Sequence, residues 1–257
     1  IGYQELLDRK VLAIALSPCS SKVAMVLDDN SAEIIDTKQS QRSTIPADLL
    51  EDLTDVAWYD NNQLLLIAAR ELRFVDSDSL KLEKVVATET TLDQDLFYIA
   101  GPKVIASIRN DNTVVLVDVE TGSLIQGFSH DCDVWDVDVS LDRSLAATTS
   151  WDGYIRIWDV ESGSLKRKLC DGSSFGAVAI NPNNEKVAVS EASLGFGEVS
   201  LWSTSKGISA HSKNIYEGLC SWYPVFSVYG EYIVTKERSF DDKSIFIKLW
   251  NLDGQLV

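Results

Sequence analysis

Short apolar segments alternate with polar, turn-forming clusters along almost the whole chain. Val, Ile, Leu and aromatic residues fill the segments, and clusters such as SPCSS at 17–21 and NPNN at 181–184 separate them. Apolar runs of this length, bounded by Asn, Asp, Ser, Gly and Pro, predict β-strands joined by tight turns. The best candidate for a helix, ADLLEDL at 47–53, is short. The pattern therefore predicts an all-β fold.

A strand-like segment that ends on a polar residue recurs at a nearly constant interval. The final residues of these segments are Asp36, Asp76, Asp118, Asp159, Ser203 and Asn251. Successive ends lie 40, 42, 41, 44 and 48 residues apart. This period is typical of a four-stranded propeller blade and excludes the shorter leucine-rich, ankyrin and tetratricopeptide repeats. Six copies of one four-stranded unit are expected.

The most complete copy is HDCDVWDVDVSLDRSLAATTSWDGYIRIWD at 130–159. Its first strand alternates apolar residues (Trp135, Val137, Val139) with acidic ones (Asp136, Asp138). We expect the apolar face to be buried and the acidic face to be solvated or to line a channel. Because one sheet cannot cover its own apolar faces, the copies should pack radially around an axis.

This copy resembles a repeat of the WD-repeat (WD40-type) β-propeller family. The resemblance implies a buried, hydrogen-bonded set within the blade, made by His130, Thr148, Asp152 and Trp158, and the ending Trp158-Asp159 is the dipeptide that names the family. Trp202 and Trp250 keep the third-strand aromatic residue in the last two copies. In the first three copies Ile35, Val75 and Val117 replace it.

The repeat register predicts one propeller domain over residues 1–257. Its approximate blades are 11–46, 53–86, 94–128, 133–169, 174–211 and 219–257. Residues 2–7 could supply the outer strand of the last blade and so close the ring. The alternative is a seven-bladed propeller, with a further blade in sequence beyond this chain, which begins with Ile1 instead of Met.

The chain is strongly acidic, with 23 Lys plus Arg, 39 Asp plus Glu and a net charge of −16. Such a charge repels nucleic-acid phosphates and anionic lipid headgroups, so it argues against direct nucleic-acid binding and membrane insertion, and it attracts basic protein segments. The four cysteines, Cys19, Cys132, Cys170 and Cys220, form no metal or disulfide pattern. An intracellular location, cytoplasmic or nuclear, is expected.

Catalytic chemistry finds little support in the sequence. His130, close to Asp131 and Cys132, could act as a base or a metal ligand, but its spacing suits the structural histidine of a blade. Nucleophile-elbow, Walker, zinc-protease and dinucleotide-binding motifs are absent. Carboxylates at alternating strand positions do not converge as they do in a calcium loop. We therefore predict no catalytic, cofactor or metal site.

Candidate partner-binding residues lie on loops, which carry recognition when a rigid scaffold presents them. The resemblance implies that the loops before each first strand and between second and third strands gather on one face. The candidates on that face are Asp28, Arg70, Arg109, Asp131, Asp133, Trp151, Phe196 and Phe240. Aromatic residues dominate the energetics of interfaces, so Trp151, Phe196 and Phe240 are the strongest of them.

Together these observations predict a non-catalytic scaffold that mediates protein–protein interactions within a multiprotein complex through its loop-rich face. Its partners would be proteins or peptides, including basic segments. The alternative is a regulatory propeller domain of a larger multidomain protein, such as an enzyme or an oligomerising ATPase. Intrinsic hydrolase activity is the least favoured reading, since no nucleophile with a positioned base can be named.

Overall fold

A computed structural model describes most of the chain. The described residues are 11–29, 31–92, 95–99, 104–108, 111–169, 175–193, 196–205, 213–218, 222–227, 229–238, 245–253 and 255–257. Nearly all ordered segments in these ranges are β-strands, and the only helical one is a single 3-10 turn, Ala47–Leu49, inside the segment that was the best helix candidate. No helix in the described part is long and apolar enough to cross a membrane. The all-β prediction is confirmed.

The chain divides into two units, of which the first comprises Ile1–Ile105 and Val117–Leu124. Two antiparallel four-stranded sheets lie in it, with strand orders β1-β2-β3-β4 and β5-β6-β7-β8. Their strands are β1 (Val11–Leu16), β2 (Lys22–Leu27), β3 (Ala32–Asp36), β4 (Arg42–Thr44), β5 (Leu53–Trp58), β6 (Gln63–Ala68), β7 (Glu71–Asp76) and β8 (Leu82–Ala87). Buried side chains of both sheets share one core cluster, and the Trp58 indole donates a hydrogen bond to the Ala15 carbonyl at 3.0 Å.

A third four-stranded sheet has the strand order β12-β11-β10-β9. Its strands are β9 (Asp95–Ile99), β10 (Val104–Ile108), β11 (Thr113–Asp118) and β12 (Leu124–Ser129). The described side chains of β10 are all buried, as expected for an inner strand of a stacked sheet.

The second unit comprises Ala106–Leu116 and Ile125–Val257. The fourth and fifth sheets have strand orders β13-β14-β15-β16 and β17-β18-β19-β20, and the sixth has the order β21-β22-β23. The strands are β13 (Val134–Val139), β14 (Leu145–Ser150), β15 (Tyr154–Asp159), β16 (Leu165–Leu169), β17 (Phe175–Ile180), β18 (Lys186–Ser193), β19 (Phe196–Ser203), β20 (Lys213–Gly218), β21 (Trp222–Phe226), β22 (Tyr232–Arg238) and β23 (Ile245–Asn251).

The described residues thus contain one sheet for each predicted copy, and five of the six sheets are four-stranded. In the sixth, a single bridge between Trp250 and Leu256 stands where a fourth strand was expected. Residues 2–7, proposed to complete that sheet, lie outside the described residues. The prediction of a single domain over 1–257 stays a prediction.

The aspartate that ends each of the first four third strands shapes the turn after it. The Asp159 carboxylate accepts hydrogen bonds from the Ser162 amide at 2.9 Å and the Ser162 hydroxyl at 2.8 Å. The Gly163 amide closes the turn on the Asp159 carbonyl at 2.9 Å, with a φ of +67° that glycine adopts without strain. Asp36, Asp76 and Asp118 cap their turns in the same way. The regular interval seen in the sequence is therefore a repeat of turn chemistry.

A β-bulge recurs near the start of the first strand in five of the described sheets. In the fourth sheet, Val134 pairs with Ser150 and Asp136 with Thr149, so Trp135 is the extra residue; matching shifts in register occur in β1, β5, β17 and β21. An inserted residue reverses the alternation of the strand beyond it. The prediction that Trp135 is buried with Val137 and Val139 is wrong, because this residue is 41% exposed.

The expectation of a solvated acidic face on β13 is also wrong. The Asp136 side chain is buried, and its carboxylate accepts a hydrogen bond from the Val178 amide of β17 at 2.8 Å. Asp138 accepts one from the Ile180 amide at 2.6 Å. Burial raises the pKa of Asp136 to about 7 and that of Asp138 to about 6. These carboxylates therefore connect the first strands of the fourth and fifth sheets.

This connection predicts a stability that falls as pH rises. A carboxyl group whose pKa is higher in the folded state binds more protons there than when unfolded, so its stabilising effect is complete below about pH 4 and is lost as pH rises through about 7. We expect Asp136→Asn to reduce the stability gained on going from pH 8 to pH 5 by about 2 kcal/mol. Urea denaturation of both proteins at the two pH values measures this difference.

Two controls make the result specific. The lowered pKa of His130 makes stability rise with pH, which opposes the effect of Asp136. Because His130 is present in both proteins, its contribution cancels when wild type and variant are compared. Leu141→Ala, which removes an exposed uncharged side chain from the turn after β13, should keep the wild-type pH dependence. An Asp136→Asn protein with the wild-type pH dependence would show that this carboxyl group does not titrate as its burial requires.

Candidate functional site

The histidine, threonine and tryptophan singled out in the fourth copy are in direct contact. The Thr148 hydroxyl lies 2.8 Å from His130 Nε2, and the Trp158 indole N–H donates to the same oxygen at 2.9 Å. Trp158 also stacks on Phe128, with ring centroids 4.9 Å apart, and meets the edge of His130 at 5.3 Å. Burial, followed by the charge of Arg156, lowers the pKa of His130. The imidazole is thus a neutral group engaged in packing.

Asp152 is held by a different partner. Arg156 Nη1 donates to Asp152 Oδ1 at 3.0 Å, and a second hydrogen bond joins Nη2 to Oδ2, so the pair is bidentate. Burial raises the pKa of Asp152, and the hydrogen bonds and charge of Arg156 outweigh this effect and lower it. Sequence reasoning missed Arg156, although a lone cation within the apolar strand YIRIWD signals a buried ion pair.

Two tryptophans stack on each other at the edge of the same sheet where β13 begins and β14 turns into β15. The rings of Trp135 and Trp151 have centroids 4.8 Å apart and planes inclined by 20°. Their side chains are 41% and 64% exposed. The bulge in β13 turns Trp135 outward, and the turn between β14 and β15 carries Trp151. Sequence reasoning selected Trp151 but missed Trp135, since local alternation contains no signal for a bulge.

Two exposed aspartates precede the strand that carries Trp135. The Trp151 amide donates to the Asp133 carbonyl at 2.9 Å, so Asp133 lies directly opposite Trp151 at the end of the sheet. The Asp131 side chain is 92% exposed and stands 4.0 Å from Arg156 Nη2. Both aspartates are therefore exposed in the segment that leads into β13.

The remaining candidates lie in the first unit or have side chains outside the described residues. Arg70 is exposed in the turn between β6 and β7, and Asp28 is exposed after β2, both in the first unit. Phe196 is the first residue of β19, and its side chain lies outside the described residues, as do Arg109 and Phe240. Their roles in partner binding stay predictions. Among the described residues, no group of three or more His, Cys, Asp or Glu side chains could hold a metal ion.

Comparison with known proteins identifies the repeat. Residues 122–159 match the family model of the WD domain, G-beta repeat. The Periodic tryptophan protein 2 homolog of Schizosaccharomyces pombe (strain 972 / ATCC 24843) is 30% identical to this chain over 110 residues, which is 42% of this chain and 12% of that protein. The aligned part is thus a small fraction of the relative.

WD domains are typically non-catalytic, and the matched repeat supports a general role as a protein-interaction scaffold. The matched repeat contains the hydrogen-bonded residues His130, Thr148 and Trp158 and ends on the dipeptide Trp158-Asp159. Antiparallel four-stranded sheets follow one another along the chain, as the blades of a β-propeller do. The chain therefore contains a WD repeat at residues 122–159, and these findings support its assignment to the WD-repeat family.

Proposed function

We propose that this protein is a non-catalytic scaffold that mediates protein–protein interactions within a multiprotein complex, and that it binds one partner through the edge of the fourth sheet. The observation that supports the proposal is the exposed stack of Trp135 on Trp151. Large aromatic side chains are enriched among the residues that dominate binding energy, and tryptophan is prominent among them.

The geometry of the pair favours a binding role. A tryptophan buries about 150–250 Å² when fully covered, so two half-exposed indoles offer a partner a substantial apolar area. Mutual stacking also restricts both rings before any partner arrives, which reduces the conformational entropy lost on binding. The Trp151 backbone is fixed by its hydrogen bond to Asp133, so the partner would meet a preorganised surface.

The contacts of His130, the histidine of this repeat, argue against a catalytic role for its side chain. The His130 imidazole contacts the Thr148 hydroxyl and the Trp158 ring, so its interactions lie within the blade. General base catalysis needs a group within hydrogen-bond reach of a substrate proton. The residues around His130 therefore stabilise the blade that presents the tryptophan pair.

Affinity purification tests this proposal. Trp135→Ala and Trp151→Ala should each lower recovery of a specific partner by about tenfold or more, because truncating a hot-spot residue costs at least about 1.4 kcal/mol of binding energy. Leu141→Ala is the matched control, since Leu141 is 60% exposed in the turn at the other edge of the sheet. The thermal midpoint of each variant establishes that it is folded. Equal recovery of the same partners by all variants would refute binding through this edge.

A second candidate is a regulatory propeller domain of a larger multidomain protein, such as an enzyme or an oligomerising ATPase. The comparison with the Periodic tryptophan protein 2 homolog favours this candidate, because the region aligned with this chain is only 12% of the length of that relative. The full reading frame distinguishes the two candidates. An additional catalytic domain in it would support the regulatory role, and a frame without one would exclude that role.

A further inference from the structure

The tryptophan pair and the aspartates near it in the chain point to a particular ligand. We infer that they bind an arginine side chain in an extended basic segment of the partner. This inference rests on the proposed function, because it assumes that the partner docks on the Trp135–Trp151 pair.

The first argument concerns the indole faces. In the stack each ring covers one face of the other, and with 64% of its side chain exposed Trp151 keeps much of its surface in solvent. The face of an aromatic ring carries negative potential and attracts cations, and tryptophan does so best among the aromatic residues. A planar cation can lie flat on such a face.

The second argument concerns charge. Three aspartates, Asp131, Asp133 and Asp152, lie within four residues of Trp135 or Trp151 in the chain, and Asp152 already binds Arg156 bidentately. Asp131 is only 4.0 Å from that guanidinium, while its side chain is 92% exposed. Asp131 and Asp133 thus leave acceptor oxygens facing solvent, in a protein with a net charge of −16. A cationic ligand is favoured over an anionic one.

The third argument separates arginine from the other ligands. A purely apolar segment could cover the indoles but would desolvate carboxylates without pairing them. Lysine has a compact, strongly hydrated charge, whereas the planar guanidinium stacks on a ring and binds a carboxylate through two hydrogen bonds. Nucleic-acid bases could stack on tryptophan, but their phosphates would meet the negative field of the protein.

The same blade contains an internal example of this chemistry. The Arg156 guanidinium is held by the Asp152 carboxylate and lies 5.7 Å from the centre of the Tyr154 ring. On Tyr154 the Lys168 ammonium is closer still, at 3.7 Å. Tyr154 of the fourth sheet is thus already paired with cations, and the stacked indoles of Trp135 and Trp151 are exposed.

The test uses a glycine-spaced peptide with three arginines and its counterpart in which citrulline replaces arginine. Citrulline keeps the planar shape and removes the charge. Calorimetry should show that the arginine peptide binds at least about tenfold more tightly than the citrulline peptide, and more tightly than a lysine peptide. Trp151→Ala, Trp135→Ala and Asp133→Asn should each weaken arginine binding by about fivefold or more.

Matched controls are available in the same sheet. Leu141→Ala removes an exposed apolar side chain, and Glu161→Gln removes an exposed charge from the turn after β15; both should leave arginine binding within about twofold of wild type. In two-dimensional NMR spectra, the indole N–H signals of Trp135 and Trp151, assigned from the tryptophan variants, should shift on addition of the arginine peptide. The other five of the seven indole signals should not.

Equal binding of the citrulline peptide, absence of arginine binding, or preferential binding of a single-stranded oligonucleotide would each overturn the inference. These failures differ from failure of the proposed function. If Trp151→Ala loses its cellular partner while the arginine and citrulline peptides bind alike, binding of the partner at this edge is supported and the inferred arginine ligand is wrong. If the partner is retained by both tryptophan variants, the docking edge itself is wrong.

Discussion

Replacing Trp158 with alanine is expected to lower the free energy of unfolding by about 3 to 5 kcal/mol. Trp158 is 7% exposed, stacks on Phe128 and donates its indole N–H to Thr148. The truncation removes this buried surface, opens a cavity within the fourth sheet and leaves the Thr148 hydroxyl with one partner fewer. Large-to-small changes in a packed interior carry both the transfer and the cavity cost.

Urea denaturation followed by circular dichroism measures this effect. Trp135→Ala is the matched control, because it removes the same side chain from the exposed edge of the same sheet and should change stability by no more than about 1 kcal/mol. Thr148→Val keeps the shape of the threonine but deprives Trp158 and His130 of their shared partner, and should cost about 1 to 3 kcal/mol. Comparable losses for Trp158→Ala and Trp135→Ala would contradict the buried position of Trp158.

A second large effect is expected for Gly122→Ala in the turn after β11. Gly122 has a φ of +72°, and a Cβ atom at this position would lie 2.0 Å from the Ala87 carbonyl oxygen and 2.9 Å from Val86 Cγ1. The left-handed conformation alone costs a non-glycine residue about 1 to 2 kcal/mol. Since the closest atom belongs to the backbone of β8, the clash requires that strand or the turn to move. We expect a total loss of about 3 kcal/mol.

Thermal unfolding of Gly122→Ala beside Gly127→Ala tests this expectation. Gly127 lies in β12, and a Cβ atom there would meet its nearest neighbour only at 3.9 Å. Alanine at that position should be neutral or slightly stabilising, because glycine weakens a strand. A Gly122→Ala protein as stable as Gly127→Ala would show that the turn does not pack against β8 as described.

The repeat could be recognised from sequence because its chemistry is local. Four third strands end on an aspartate that caps the turn immediately after it, so Asp36, Asp76, Asp118 and Asp159 mark the period without reference to any distant residue. The spacing of His130, Thr148 and Trp158 is similarly confined to one sheet. Strand alternation and turn composition were therefore sufficient to predict the fold class.

The exposed site could not be derived in that way. Trp135 faces solvent because one extra residue is inserted in β13 relative to β14, and register between two strands is a property of the pair. Asp136 and Asp138 turn away from solvent because the backbone amides of Val178 and Ile180, in β17 of the next sheet, donate hydrogen bonds to their carboxylates. Alternation within β13 gave the opposite expectation for all three residues.

The stretch from His130 to Asp159 shows most clearly which features follow from the sequence and which depend on the tertiary structure. Sequence by itself determined that this stretch is a WD-type repeat, since spacing along the chain and turn chemistry are encoded by neighbouring residues. Only the tertiary structure decided that Arg156 binds Asp152, that β13 is tied to β17, and that Trp135 stacks on Trp151. Those contacts depend on strand register and on the packing of one sheet against the next, and the one-dimensional pattern specifies neither.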